Sequence, residues 1–293
     1  MKRRFLAIPL LVVPAALFAA QAERLTIRMV PAPNQTLHVR TSMDMTMTMT
    51  PDLPADGARS IDPVTTSMTT IAEHTTTVGP TDEHGLYGAR VVCDSASQTV
   101  TINGKPLPMP SATTDQLVGQ VITFSYDDQG KMVDVASEGG PDPKFAGSLK
   151  QMLTSALAAA PPITLSVGES VTVPMQMNLP IPTPAAGPMT SSGETRYTLT
   201  SVTFDGADRI AHLAVVTSNA TILPMASAGV TRSASMDLRT TSEGKMDVNV
   251  DRGIVLHTET RTTIDGSTGI AGQSAVPPMR THGAMTMTAD LTK

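Results

Sequence analysis

Residues 37–49 read LHVRTSMDMTMTM, and apolar side chains fall at alternate positions along most of this stretch. The polar residues between them, from His38 to Thr48, fall on the opposite side. Successive side chains of a β-strand point to opposite faces of its sheet, so this alternation predicts a strand with one buried face. The apolar positions are Leu37, Val39, Met43, Met45, Met47 and Met49.

The C-terminal segment repeats the same alternation. Its apolar side carries Met285, Met287, Ala289 and Leu291, and Thr286, Thr288 and Asp290 alternate with them. We therefore predict that the chain opens and closes with similar strands.

Turn sequences separate further strand candidates between these two segments. Asn-Gly and Asp-Gly steps flanked by alternating apolar residues are typical of antiparallel hairpins. Two such turns are Asn103-Gly104 and Asp205-Gly206. The stretches Asp127 to Gly130 and Asp251 to Gly253, which begin with Asp and end with Gly, are interpreted as hairpin turns as well. The total approaches about a dozen strands, which predicts a mainly β fold built as one curved antiparallel sheet or half-barrel. Stretches rich in Pro, Gly or small residues, at 51–62, 106–112, 180–188 and 266–278, are interpreted as loops.

One segment departs from the β pattern. Apolar residues recur at helical spacing from Lys144 to Ala160, after Pro143 and before Pro161. This predicts a single mid-chain helix. A boundary near residue 162 would then divide a first β lobe, 23–162, from a second, 163–293, unless both form one continuous domain. A Gly-Lys-Met run at Gly130 and again at Gly244 hints at an internal duplication, although chance recurrence explains it as well.

The N-terminus predicts export. Lys2, Arg3 and Arg4 precede an apolar run from Phe5 to Ala20, which is typical of a signal peptide cut near Ala22. The mature protein is expected to be periplasmic or secreted, without a transmembrane anchor. Loss of the three basic residues takes the formal net charge from −5 to about −8, which argues against nucleic acid as a partner.

The order of these features resembles a known group of proteins. Pro161-Pro162 leads into Ser166-Val-Gly-Glu-Ser, and Asp127-Asp-Gln-Gly-Lys-Met-Val-Asp-Val enters a strand. Together with the long alternating strands and the mid-chain helix, these phrases resemble uncharacterised bacterial envelope proteins related to the periplasmic lipoprotein-carrier half-barrel. The resemblance implies a strongly curved antiparallel sheet around a cavity closed by helices, and carriage of lipid or lipoprotein acyl chains.

The methionine ladders are the candidate binding residues. Thioethers can bind Cu(I), but methionines two apart on one strand lie roughly 6.6 Å apart, so one ladder cannot close on one ion. A neighbouring strand would have to complete such a site, as Met285 and Met287 would if the first and last strands pair. We therefore expect an apolar core or cavity and no metal or cofactor. The ligand-binding candidates are Met43, Met45, Met47, Met49, Met285 and Met287.

No catalytic motif is recognisable, and the six histidines are scattered. The single cysteine, Cys93, is interpreted as a small hydrophobe. The sequence therefore favours an exported, non-enzymatic protein that binds a lipid or other apolar small molecule in a Met-lined concavity. Two alternatives stay open: a structural or interaction module that meets an envelope protein, and a hydrolase whose triad assembles only in the fold.

Overall fold

The structure is a computed structural model of the 293-residue chain. It describes residues 24–52, 62–107, 118–128, 130–138, 162–179, 189–225, 234–270 and 278–292. The signal peptide and the helix predicted over 144–160 lie outside the described residues.

The described residues form a mainly β fold, which confirms the predicted fold class at that level. Six of the strands are short: β1 (Leu25–Ile27), β5 (Lys105–Leu107), β6 (Val121–Tyr126), β7 (Met132–Glu138), β8 (Ile163–Leu165) and β9 (Ser170–Leu179). The others are long: β2 (Gln35–Pro51), β3 (Val64–Val78), β4 (Tyr87–Ile102), β10 (Met189–Asp205), β11 (Asp208–Met225), β12 (Ala234–Asn249), β13 (Ile254–Ile270) and β14 (Met279–Thr292).

Twelve of these strands form one curved, open antiparallel sheet. Its order is β7-β6-β4-β3-β2-β14-β13-β12-β11-β10-β9, with β5 paired to β4. The first and last long strands, β2 and β14, are neighbours, from Met279 opposite Pro51 to Thr292 opposite His38. Strands from both sides of the predicted boundary at residue 162 therefore join in one hydrogen-bonded sheet.

All four predicted hairpin turns are confirmed. Asn103 and Gly104 have φ values of 50° and 75°, the paired positive angles that a tight two-residue turn requires. The same role falls to Gly130, Gly206 and Gly253, each with positive φ at the end of a hairpin. These turns place β5, β7, β11 and β13 antiparallel to the strands that precede them.

The small ribbon β1–β8 covers one face of the large sheet near the strand ends. Leu25 and Ile27 pair with Leu165 and Ile163, and all four are buried, while Thr26 points to solvent. They pack on Leu199, Ala211, Leu213, Val215 and Val248. A second cluster lies on the same face under β4, β6 and β7 and consists of Val78, Tyr87, Ala89, Phe124, Tyr126 and Val135.

Three details differ from the predictions made from sequence. Pro51 and Pro106-Leu107, predicted to begin loops, belong to β2 and β5, because both are paired with a neighbouring strand. The segment from Gly266 to Ile270 was expected to be a loop, but it is the last part of β13, because pairing with β12 and β14 holds its small residues in an extended ladder. Gly244-Lys245-Met246 lies in the middle of β12, whereas Gly130 sits in a turn. The two Gly-Lys-Met runs therefore occupy different structural positions and give no support to a duplication.

Candidate functional site

The pairing of β2 with β14 brings four of the six candidate methionines into two cross-strand pairs. Met45 lies opposite Met285, and Met43 lies opposite Met287. The other two candidates have small or non-thioether partners on β14: Met47 lies opposite Gly283 and Met49 opposite Thr281. We call the sheet face that carries Met45 and Met285 the methionine face.

A seventh methionine, Met68 on β3, belongs to the same group. It lies opposite Met45 on the side of β2 away from β14. Gln98 on β4 donates a hydrogen bond from Nε2 to the Met68 Sδ, with a separation of 2.9 Å. The spacing of Val64, Met68 and Val78 in β3 could have predicted that Met68 lies on the apolar face of its strand. The sequence of β3 alone does not show that Met68 lies opposite Met45.

The methionine face carries no charge over its central part. The row through Met45 crosses nine strands, and the rows through Met43, Met47 and Met49 run beside it. None of these positions in the described strands is Asp, Glu, Lys or Arg. The row through Met45 reads Val100, Met68, Met45, Met285, Thr262, Ser242, Thr217, Thr195 and Val173.

Hydroxyl groups on this face largely satisfy one another. Ser242 and Thr262 are hydrogen-bonded at 2.7 Å, and Thr195 and Thr217 at 3.0 Å. Such pairs leave the threonine methyl groups as the surface that a ligand would meet. Thr281, which is 2% exposed, is different, because its Oγ1 has no hydrogen-bond partner within the described structure.

Burial varies along the methionine face. Leu199, Leu213 and Val248, which the ribbon covers, are at most 2% exposed. The six candidate methionines and Met68 are only partly buried. The methionine face is therefore buried under the ribbon at one end and partly exposed to solvent around the methionines.

Cys93 and His74 lie opposite each other on the methionine face, at a bulge between β3 and β4. Burial raises the pKa of the Cys93 thiol, with a further increase from the charge of Asp94. Burial also lowers the pKa of His74, although Asp94 opposes the effect. Both groups are thus held in their neutral forms, which agrees with an apolar face and with the interpretation of Cys93 as a small hydrophobe.

The opposite face, which we call the charged face, carries the ionisable residues of the same strands. Between β12 and β13, residues of opposite charge face each other: Arg239 and Asp265, Glu243 and Arg261, and Lys245 and Glu259. Opposite charges in directly paired positions stabilise a sheet by about 0.2–1 kcal/mol each. A cleft of about 520 Å³ between these side chains is therefore lined by polar and charged groups.

Three histidines of the charged face bind a carboxylate on the next strand. Nδ1 of His212 lies 2.7 Å from Asp247 Oδ1, and the same kind of contact joins His257 to Asp290 and His282 to Asp265. His212 also contacts a hydroxyl, since its Nε2 lies 2.8 Å from Thr203 Oγ1.

The Thr203–His212–Asp247 chain has the bonding order of a catalytic triad. An ionised carboxylate can only accept, so Nδ1 of His212 carries the proton and Nε2 accepts from the Thr203 hydroxyl. His212 and Asp247 are about one-third exposed, and both neighbouring strands carry a bulge close by, at Leu199/Ser201 and Asp247/Val248. Sequence reasoning could not find this chain, because its three members lie on three different strands.

The densest polar trio of the sequence, Asp82 to His84, forms a turn. Asp82 Oδ1 accepts the backbone N–H groups of His84 and Leu86, both at 2.8 Å. These bonds lower the pKa of Asp82 and occupy its carboxylate. Within the described residues, no group of three His, Cys, Asp or Glu side chains is placed to hold a metal ion.

No protein-family model matches the chain, and a search of curated proteins finds no match. The described part of the chain contains no helix that is long and apolar enough to span a bilayer. The function is therefore inferred from the chain's own geometry and chemistry.

Proposed function

We propose that this protein is an exported binding protein whose methionine face takes up an acyl chain or another apolar ligand. The observation that carries the proposal is the partial burial of Met43, Met45, Met285 and Met287 on a face without charge. A dry core would bury these side chains as completely as Leu213 under the ribbon. An uncharged surface that stays accessible favours a ligand site over packing alone.

The dimensions of this surface suit an extended apolar molecule. Nine strands at about 4.8 Å spacing give a width of roughly 38 Å, and four rows at about 6.6 Å give a height of roughly 20 Å. Methionine side chains adapt their shape to irregular apolar partners more readily than branched side chains do.

The resemblance to lipoprotein-carrier half-barrels and the predicted signal peptide point in the same direction. An exported carrier must shield an apolar chain from water and release it elsewhere. An open sheet with one charged and one uncharged face supports that task, because only the uncharged face gains by contact with lipid. We therefore also propose that the sheet is a half-barrel, that a helix covers part of it, and that the protein is exported.

The test is uptake of a fluorescent fatty acid by the mature protein. Met45→Asp places a charge on the methionine face, whereas Thr46→Asp places the same charge one residue further along β2, on the opposite side. Burying a carboxylate against an acyl chain costs several kcal/mol, so we expect Met45→Asp to weaken uptake by about a hundredfold or more. Thr46→Asp should retain wild-type affinity. Unchanged uptake by a folded Met45→Asp variant would refute the proposal, and no uptake by the wild type would favour the structural module.

A second candidate function, ester hydrolysis, is favoured by the Thr203–His212–Asp247 chain. In this function Thr203 Oγ attacks an acyl carbon while His212 Nε2 takes its proton and passes it to the departing alkoxide; water then cleaves the acyl-threonine. His212→Gln should abolish hydrolysis of an activated phenyl ester. His282→Gln removes a similar His–Asp contact elsewhere and is the matched control. Equal rates in the wild type and in His212→Gln would exclude this function.

A further inference from the structure

Three methionines from three neighbouring strands occupy one row of the sheet. Met68 on β3 lies opposite Met45 on β2, and Met45 lies opposite Met285 on β14. We call these three residues the thioether row. The next row adds Met43 and Met287, which also lie opposite each other. The sequence indicates Met285 and Met287 as partners of the β2 methionines only on the condition that the first and last strands pair, and it does not indicate Met68.

The spacing across strands removes the geometric objection to a metal site. Methionines two apart on one strand are roughly 6.6 Å apart, but directly paired residues on neighbouring strands are only about 4.5–5.5 Å apart at their Cβ atoms. A methionine sulfur lies two bonds beyond Cβ on a flexible chain. The sulfur atoms of Met68 and Met285 can therefore turn toward Met45 from both sides and meet above it.

We infer that the thioether row is a binding site for a soft monovalent metal ion, and that the ion bound in the cell is Cu(I). Thioethers select Cu(I) over Ca²⁺, Mg²⁺ and Zn²⁺, which require carboxylate, imidazole or thiolate donors. The central methionine face supplies no carboxylate or imidazole in its described rows. A monovalent ion also loses less hydration free energy than a divalent ion when it binds to an uncharged surface.

One of the three sulfur donors also accepts a hydrogen bond from Gln98 on β4. Its amide N–H group donates to the Met68 Sδ at 2.9 Å, and Gln98 Nε2 is also 3.5 Å from Thr70 Oγ1. A thioether sulfur has two lone pairs, so the second lone pair remains for a metal. Met43 and Met287 are the nearest sources of a fourth sulfur ligand.

The metal site and the apolar-ligand site make different demands on the same side chains. The apolar ligand needs only uncharged surface, whereas the metal needs sulfur. Leucine matches methionine in size and polarity but has no donor atom, so a loss of Cu(I) affinity in Met45→Leu reports the missing sulfur and not a change in apolar surface. The proposal therefore stands or falls independently of acyl-chain uptake.

The experiment uses the mature protein with methionine methyl groups labelled for NMR and Ag(I) as a redox-stable probe. We expect Ag(I) to shift the methyl signals of Met45, Met68 and Met285. Competition for Cu(I) against a bicinchoninate chelator, without oxygen, then gives the affinity. Loss of an outer-shell partner already costs about 10–100-fold in metal affinity, so loss of a ligand in Met45→Leu should cost at least about tenfold.

The control is Met175→Leu, which removes a thioether on the edge strand β9, far from the thioether row. This variant should bind Cu(I) as the wild type does. Equal losses of Cu(I) affinity in both variants would show nonspecific thioether binding and overturn the inference. Absence of methyl shifts at the thioether row would overturn it as well.

Discussion

Replacement of Ile27 by alanine tests how the ribbon is attached to the large sheet. Ile27 is completely buried and packs with Leu199, Leu213 and Val248, which belong to the methionine face. Its partner in the ribbon is Ile163, which is 3% exposed. Leu25, Ile27, Ile163 and Leu165 therefore contribute to the core although each strand of the ribbon is only three residues long.

The expected loss of stability follows from this complete burial. Truncating a fully buried isoleucine to alanine removes its transfer free energy and leaves a cavity, at a cost of 2–5 kcal/mol in well-packed cores. We expect about 3 kcal/mol for Ile27→Ala, within this range. At about 2 °C per kcal/mol for a chain of this size, the midpoint of thermal unfolding should fall by about 6 °C.

Thermal unfolding of the mature protein, followed by circular dichroism, measures this effect. Phe204→Ala is the control, because Phe204 is 71% exposed and its truncation should change stability by no more than about 0.5 kcal/mol. The double variant Ile27→Ala/Ile163→Ala should lose less than the sum of the single losses, since both side chains line the same cavity. A midpoint for Ile27→Ala equal to that of Phe204→Ala would refute the docking of the ribbon.

Three further predictions concern turns and titration. Gly253→Ala should destabilise the fold more than Gly206→Ala, as measured by the midpoints of denaturant unfolding. Both glycines have positive φ, but a Cβ at Gly253 would overlap a carbonyl oxygen of the N-terminal segment, whereas a Cβ at Gly206 would point into open space. Burial raises the pKa of all three tyrosines, that of Tyr126 to about 12. Near pH 10 the folded protein should therefore show less phenolate absorbance than the unfolded chain. Because only the unfolded chain readily loses these protons, the free energy of unfolding should fall as the pH rises above about 10. Hydrogen bonds from Arg209 lower the pKa of Asp251, so their stabilisation is present above about pH 4 and is lost as the pH falls further; Arg209→Gln should flatten this acid limb in unfolding curves.

Local patterns predicted the elements of this fold that depend on local chemistry. The alternation in residues 37–49 places a strand because side-chain direction has a period of two, whatever the strand pairs with. The turn at Asn103-Gly104 was predictable because only a few residues adopt paired positive φ angles without strain. Both inferences need no knowledge of distant parts of the chain.

The segment from Gly266 to Ile270 shows where local patterns fail. Glycine, serine and threonine have weak or mixed preferences, so their sequence was interpreted as a loop. In the fold, β12 pairs with the whole of this segment, and β14 pairs with Gly266 and Ser267 on the other side. Pairing that is fixed elsewhere in the sheet thus overrides a weak local preference.

Both candidate sites depend on the pairing of several strands, and this explains which of their members could be predicted from sequence. Each methionine of β2 and β14 was identifiable on its own strand, but the thioether row exists only because β14 returns to pair with β2 and β3 joins the other edge. The Thr203–His212–Asp247 chain likewise needs the register of β10, β11 and β12 to within one residue. A shift of one residue would move every side chain of a strand to the opposite face and separate both groups. The composition of a site that is spread over several strands is therefore determined by strand register. Alternation along one strand shows which face each side chain occupies, but only the pairing of the strands shows which side chains are neighbours.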